Sequence, residues 1–110
     1  MAKKTILKIT HILAALCRER NIPVDKLVLF GSHAGARAHK DSDIDIILVS
    51  RLFRNKDIFA RAHIAEGITH RLVQEMNAPV DLLYCSDTEW NAGSSLIIRS
   101  AKNEGLVLKH

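Results

Sequence analysis

The chain of 110 residues carries 16 Lys and Arg against 12 Asp and Glu, which gives a formal charge of +4, and 47% of its residues are hydrophobic. This length predicts a single domain over residues 1–110, and the composition is that of a folded protein rather than a disordered one. Because the basic residues form no stripe and no helix-turn-helix pattern is visible, we do not expect the protein to bind nucleic acid.

We do not expect the N-terminal stretch to be an export or membrane signal. Lys8, Thr10 and His11 interrupt its apolar residues, and the chain never reaches the roughly 18 consecutive apolar residues of a transmembrane helix. We therefore expect a cytoplasmic protein without a membrane segment. Cys17 and Cys85 are too far apart in sequence to suggest a zinc or redox motif, so we expect reduced thiols that pack in the core.

Hydrophobic periodicity predicts helices and strands in alternation. Apolar residues at three- and four-residue steps predict a helix over Lys4–Arg20, ended by Asn21-Ile22-Pro23. The elements predicted after it are a strand over Lys26–Phe30, a loop over Gly31–Asp41, a strand over Asp43–Val49, a main helix over Asn55–Met76, a strand over Pro79–Cys85, a helix from Asp87 to about Lys102 that Gly93-Ser94-Ser95 could divide, and a short strand or tail over Leu106–His110. This order predicts an α/β (α+β) domain with a small mixed β-sheet packed with helices.

Two aspartates, Asp43 and Asp45, stand in the second predicted strand. Residues i and i+2 of a strand point to the same face, so the two carboxylates would lie side by side. At about 4 Å and an effective dielectric near 20, two like charges repel by roughly 4 kcal/mol, and a bound Mg²⁺ would remove that repulsion. The alternative is an exposed strand end where both aspartates are solvated, and Asp-x-Asp alone does not decide between the two.

Gly31-Ser32 directly follows the first predicted strand. A glycine there lets a ligand approach the backbone, and the serine offers a hydroxyl and N–H groups to a phosphate, although a plain turn with a serine N-cap is the simpler alternative. Together with the aspartate pair, the turn points to a site for a metal-bound nucleoside triphosphate. Asp81, in the third predicted strand, is either a solvated residue or a third carboxylate, in which case two Mg²⁺ ions could be held.

The stretch GSHAGARAHKDSDIDIIL, with Gly-Ser, ten residues and Asp-x-Asp, resembles the signature of the polymerase-β-like nucleotidyltransferase superfamily. The chain is most similar to its small, stand-alone members, the minimal nucleotidyltransferases (MNT proteins), and the resemblance extends to the ending IIRSAKNEGLVLKH. It implies the polymerase-β-like nucleotidyltransferase fold. It also implies transfer of a nucleoside monophosphate, most simply AMP from ATP, with two Mg²⁺ ions.

The resemblance also implies residue roles. Asp43, Asp45 and Asp81 match the catalytic metal ligands of the family, and Gly31 and Ser32 match its triphosphate-binding turn.

The loop departs from the family at Gly35-Ala36, where many members read Arg-Gly. The cation that contacts the phosphates is then expected to be Arg37 or Lys40.

The chain is too short for the extra helical domain with which larger relatives surround their acceptor. The resemblance implies a partner instead, because small MNT proteins often act as antitoxins beside a helical HEPN-type protein, some of them by adding AMP to it. We therefore expect a nucleotidyltransferase that acts on a protein or other acceptor within a homo- or hetero-oligomer. The alternative is a binding module that neutralises a helical partner stoichiometrically, which the changed loop at Gly35-Ala36 favours and the three aspartates disfavour.

Overall fold

The computed structural model describes residues 2–31 and 43–109. Its helices and strands, in chain order, are α1 Lys3–Glu19, β1 Lys26–Phe30, β2 Ile44–Val49, α2 Ile58–Ile64, α3 Ile68–Met76, β3 Val80–Cys85, α4 Asp87–Ala92, α5 Leu96–Glu104 and β4 Leu106–Lys109. The strands form one sheet in the order β3-β2-β1-β4, in which β2 and β3 are parallel while β1 is antiparallel to both β2 and β4. The predicted class, a small mixed sheet packed with helices, is confirmed.

The first face of the sheet packs against α1 and α3. Ile46 and Leu48 of β2 join Leu13 of α1 and Leu72 of α3 in one buried cluster. These residues recur every second position in the strand and every third or fourth position in the helices, which is why each element buries a single side. Burial of this shared apolar surface is the main force that holds the three layers of the domain together.

The second face of the sheet packs against α4 and α5. Ile47 and Val49 of β2 lie in a second buried cluster with Trp90 of α4 and Ile98 of α5. Trp90 is only 6% exposed, so it serves packing rather than contact with a partner. Asp45 stands two residues before Ile47 and therefore on this same face of β2.

The predicted main helix over Asn55–Met76 is wrong in its extent, because the structure has two helices there. Asp57 begins α2, since its carboxylate accepts a hydrogen bond from the Ala60 N–H at 2.8 Å. Gly67 lies between α2 and α3 with φ +84°, in the left-handed region that interrupts a helical hydrogen-bond ladder and favours glycine. The apolar period continues through the break and conceals it.

The C-terminal third follows the prediction more closely. Ser86 and Glu89 form a reciprocal capping box at the start of α4, and Gly93, with φ +61°, separates α4 from α5. The last segment is a strand, β4, paired with β1. Within residues 2–31 and 43–109, no helix is both long and apolar enough to cross a bilayer.

Candidate active site

The parallel pairing of β2 and β3 places Asp45 directly beside Asp81. The two residues are register partners, and the next partners on the same face are Ile47 with Leu83. Since neighbouring strands lie about 4.8 Å apart, the two aspartates form one polar row across the sheet. Asp45 is half-buried and Asp81 is exposed, so the row opens towards solvent on the side of β3. The strand register thus brings Asp81 beside Asp45, and the metal-binding role of the two residues stays a prediction.

Gly31 packs against Asp45 on the side away from Asp81. Phe30, the last residue of β1, is the register partner of Asp45, and Gly31 follows it with φ +71°. A Cβ at position 31 would overlap the Oδ2 atom of Asp45, so an alanine cannot be added without moving that carboxylate. The sequence suggested a glycine for close approach of a ligand, whereas the structure shows that the closest neighbour is the aspartate itself.

Among the other predicted site residues, the structure describes only Asp43. Asp43 is exposed and lies just before β2 rather than inside it. Ser32, Arg37 and Lys40 lie outside the described residues, so their predicted contacts with phosphate stay predictions.

Carboxylate oxygens on adjacent strands are the donor type that Mg²⁺ prefers. This ion usually takes one or two protein carboxylates and completes its shell with water and substrate phosphate oxygens. In the part of the chain that the structure describes, no three His, Cys, Asp or Glu side chains converge as a complete metal site. The Asp45–Asp81 row offers two carboxylates of the type that such an ion binds.

The two cysteines do not take part in this row. Both are free and buried, as the sequence predicted, and burial raises the pKa of Cys17 and of Cys85 to about 11. A thiol with such a pKa is protonated at neutral pH and is a poor nucleophile.

Arg61 binds the C-terminal end of β3, away from Asp81. Its Nη1 donates to the Tyr84 carbonyl at 3.1 Å, its Nε donates to the Lys56 carbonyl at 2.8 Å, and its Nη2 lies 2.7 Å from the Glu89 carboxylate. Burial alone would raise the pKa of Glu89, but hydrogen bonds from the Ser86 N–H and Arg61 bring it below its ordinary value. Sequence reasoning did not single out Arg61, because a basic residue on an amphipathic helix normally indicates a solvated position.

The chain matches a known protein family over most of its length. The family model for the nucleotidyltransferase domain matches residues 9–108. A crystal structure of a toxin–antitoxin with AMP-PNP is 25% identical, covering 90% of this chain and 71% of that chain with a TM-score of 0.63. Among proteins of curated function, none matches the chain significantly.

Two further solved structures share the fold. One is a tri-AMPylated Shewanella oneidensis HEPN toxin in complex with MNT antitoxin, at 21% identity, 94% coverage of this chain, 71% of that chain and a TM-score of 0.57. The other is a candidate nucleotidyltransferase from Sulfolobus solfataricus, at 18% identity, 97% and 87% coverage and a TM-score of 0.64. With a family model that spans nearly its whole length, the chain belongs to the nucleotidyltransferase domain family.

Proposed function

We propose that the chain is an Mg²⁺-dependent nucleotidyltransferase that transfers AMP from ATP to a protein, and that it acts as the MNT antitoxin of a HEPN-type partner. The observation that carries this proposal is the Asp45–Asp81 row, with the Gly31 backbone held against Asp45. Two carboxylates side by side are an uncommon pairing in a sheet, since like charges directly opposite each other destabilise it. Carboxylate oxygens in this position are the kind of ligand that Mg²⁺ combines with phosphate oxygens.

Each site residue has a role in this proposal. Asp43 and Asp45 would hold the ion that accompanies the triphosphate, and Asp81 would complete the shell of a second ion on the acceptor side. Two such ions would polarise the phosphoryl oxygens and lower the pKa of the attacking hydroxyl. Gly31 and Ser32 would form the turn around the triphosphate.

The cation for the phosphates would come from Arg37 or Lys40, in place of the arginine that many members of the family carry where this chain has Gly35.

The proposed transfer is an in-line displacement at the α-phosphorus of ATP. The acceptor hydroxyl oxygen forms a bond to this phosphorus, and the bond from phosphorus to the β-phosphate oxygen breaks. Pyrophosphate leaves with the electron pair of the broken bond, and the hydroxyl proton passes to solvent. The contribution of the chain is to orient these groups and to balance the charge that develops on the phosphate oxygens.

The solved relatives support the choice of a helical protein partner. One of them holds AMP-PNP, and another is an AMPylated HEPN toxin in complex with its MNT antitoxin. The outward side of α2 exposes Ile58 and Phe59, at 72% and 80%, and exposed apolar side chains of this size are typical of a surface that binds another protein. We therefore propose a hetero-oligomer with a helical HEPN-type protein as the acceptor.

The proposal is tested with three Asp→Asn variants. Asp45→Asn should abolish Mg²⁺-dependent ATP binding, measured by calorimetry. Asp81→Asn should keep ATP affinity within a few-fold of wild type while transfer of α-³²P-labelled AMP to the HEPN-type partner falls by orders of magnitude, because the second ion acts chiefly in the transition state. Asp57→Asn is the matched control, since asparagine also caps a helix and position 57 lies outside the row.

The result that would overturn the enzyme is specific. If the wild type transfers no label, and Asp81→Asn still neutralises the partner, the chain is a stoichiometric binding module. If Asp45→Asn and Asp57→Asn bind ATP with equal affinity, the Asp45–Asp81 row is not the metal site.

A further inference from the structure

The formal charge of the chain is concentrated in its first helix. Helix α1 and its C-cap residue Arg20 carry five Lys and Arg side chains and a single acidic one, Glu19, which gives this segment a net charge of +4. The whole chain has the same formal charge of +4, so the charges outside this segment balance. The net positive charge of the protein therefore comes from α1.

Four basic side chains form a stripe along the exposed side of α1. This basic stripe consists of Lys4, Lys8, His11 and Arg18, which follow one another at steps of four, three and seven residues and are all exposed. Such steps keep the four residues within an arc of about 80° on a helix, and the helical rise makes the stripe about 21 Å long. The linear sequence does not show the stripe, because apolar residues separate its members along the chain.

The basic stripe has no acidic partner in the part of the chain that the structure describes. No ion pair within residues 2–31 and 43–109 involves a residue of α1. By contrast, Arg51, Arg54 and Arg61 each pair with a carboxylate of the same domain. The charges of the stripe are thus available to anionic groups of another molecule.

We propose that the basic stripe binds the phosphate backbone of duplex RNA, an inference that does not depend on the proposed function. Lys4, Lys8 and Arg18 would pair with phosphates, and an N–H group of His11 would donate to a phosphate or a 2′-hydroxyl oxygen. Binding would be largely independent of base sequence, because these contacts go to the backbone. Helix α1 packs on the first face of the sheet and Asp45 lies on the second, so the RNA would not occupy the aspartate row.

The composition of the stripe favours nucleic acid over other anionic partners. Lysine is depleted in protein–protein interfaces, whereas surfaces that bind nucleic acid are strongly positive. A helix that binds a membrane surface inserts its apolar side between the lipids. The apolar side of α1 is buried in the first cluster and cannot be inserted.

The placement of α1 favours duplex RNA among nucleic acids. One side of the helix is buried against the sheet, and α3 packs beside it, so only the exposed side can reach a ligand. Readout of B-DNA by a helix requires entry into a major groove about 8.5 Å deep, whereas the minor groove of A-form RNA is wide and shallow. Helix α1 also contains no Phe, Tyr or Trp on which the bases of a single strand could stack.

Fluorescence anisotropy with a short RNA duplex of mixed sequence tests the proposal. Because three cationic side chains would contact phosphates, the logarithm of the binding constant should fall with the logarithm of the salt concentration with a slope of about −2 to −3. The triple variant Lys4→Gln, Lys8→Gln, Arg18→Gln should bind at least about 10-fold more weakly at low salt, and its slope should approach zero.

A matched control removes the same charge outside α1. The triple variant Lys26→Gln, Lys56→Gln, Lys109→Gln changes residues of β1, of the turn before α2 and of β4. It should bind duplex RNA within about 3-fold of wild type, since only the general charge of the protein is altered. The two triple variants should bind Mg·ATP with equal affinity, because the stripe and Asp45 lie on opposite faces of the sheet.

The outcomes decide both the site and the ligand. If the wild type does not bind duplex RNA at low salt, or if both triple variants lose equal affinity, the proposal is overturned. Tighter binding to duplex DNA, to single-stranded RNA or to phosphatidylserine vesicles than to duplex RNA would contradict the choice of ligand.

A second measurement does not depend on any variant. Crosslinking of the wild-type chain to duplex RNA that contains 4-thiouridine, followed by peptide mapping, should place the crosslinks on peptides from residues 3–20. Crosslinks confined to other parts of the chain would show that the RNA binds elsewhere.

Discussion

Replacing Gly31 with alanine tests whether the close packing of the β1 turn against Asp45 matters for the site. Position 31 has φ +71°, and the added Cβ would overlap Oδ2 of Asp45 and lie 3.3 Å from its Cγ. Asp45 is half-buried in β2 between two paired strands, so its backbone cannot retreat. We expect the side chain of Asp45 to rotate away and the row with Asp81 to be lost.

The magnitude has two parts. A residue with a Cβ in the left-handed region lowers the free energy of unfolding by about 1 to 2 kcal/mol. Displacement of the Asp45 side chain from its rotamer lowers it by roughly a further 0.5 to 1.5 kcal/mol. Gly31→Ala should therefore lower the free energy of unfolding by about 2 to 3 kcal/mol. Gly67→Ala is the matched control, because Gly67 has φ +84° and its added Cβ would meet only the end of the Arg20 side chain, at 3.0 Å.

The assay combines thermal unfolding with calorimetric titration of Mg·ATP. A chain of this length loses roughly 4 °C in Tm per kcal/mol, so both variants should unfold earlier, Gly31→Ala by the larger margin. Only Gly31→Ala should lose Mg·ATP affinity. If the two variants bind Mg·ATP alike at a temperature where both are folded, contact between the turn and Asp45 is not needed for the site, and the reasoning fails.

Two further predictions concern the Arg61 anchor at the end of β3. Arg61→Lys should lower the free energy of unfolding by about 1 to 3 kcal/mol, because an ammonium group cannot reach the Tyr84 and Lys56 carbonyls and the Glu89 carboxylate together. An unchanged midpoint of urea unfolding would contradict this. Hydrogen bonds hold the pKa of Glu89 below its ordinary value of about 4.3, so the contribution of this carboxylate to stability is complete above that pH and is lost as pH falls through the lower, folded-state pKa. The Tm difference between wild type and Glu89→Gln should therefore stay constant from pH 5 to 7 and shrink in the more acidic range.

Local signals in the sequence predicted most of the fold. Strand β1 was predicted at its observed bounds, and α1 was predicted to within one residue at either end, because both have a clear period and a clear stop signal. The division of the main helix was missed because Gly67 lies inside an uninterrupted apolar period, and only its left-handed φ shows that the ladder ends there.

The candidate site was predicted in part. The spacing from Gly31 to Asp45 identified the family, and the register of β2 with β3 then placed Asp81 beside Asp45. That register depends on pairing between segments more than thirty residues apart, which no local pattern specifies. A cavity between β3 and the start of α5 could not be predicted either, because its lining residues Leu83 and Ile97 lie in different elements that only the folded chain brings together.

The pairing of the two aspartates is enforced by the hydrophobic core rather than by the aspartates themselves. Pro79 accepts a hydrogen bond from the Ile44 N–H at 2.9 Å and sets the register at the start of β3, and Val80, 6% exposed, then packs into the first cluster. A slip of one residue would turn Asp81 into that cluster and expose Val80, with the loss of roughly 1.5 to 3 kcal/mol of apolar burial and the penalty of burying a carboxylate. The alternation of apolar residues in β3 therefore selects the one register in which Asp81 meets Asp45, so the two carboxylates can face each other without contributing to the stability of the sheet.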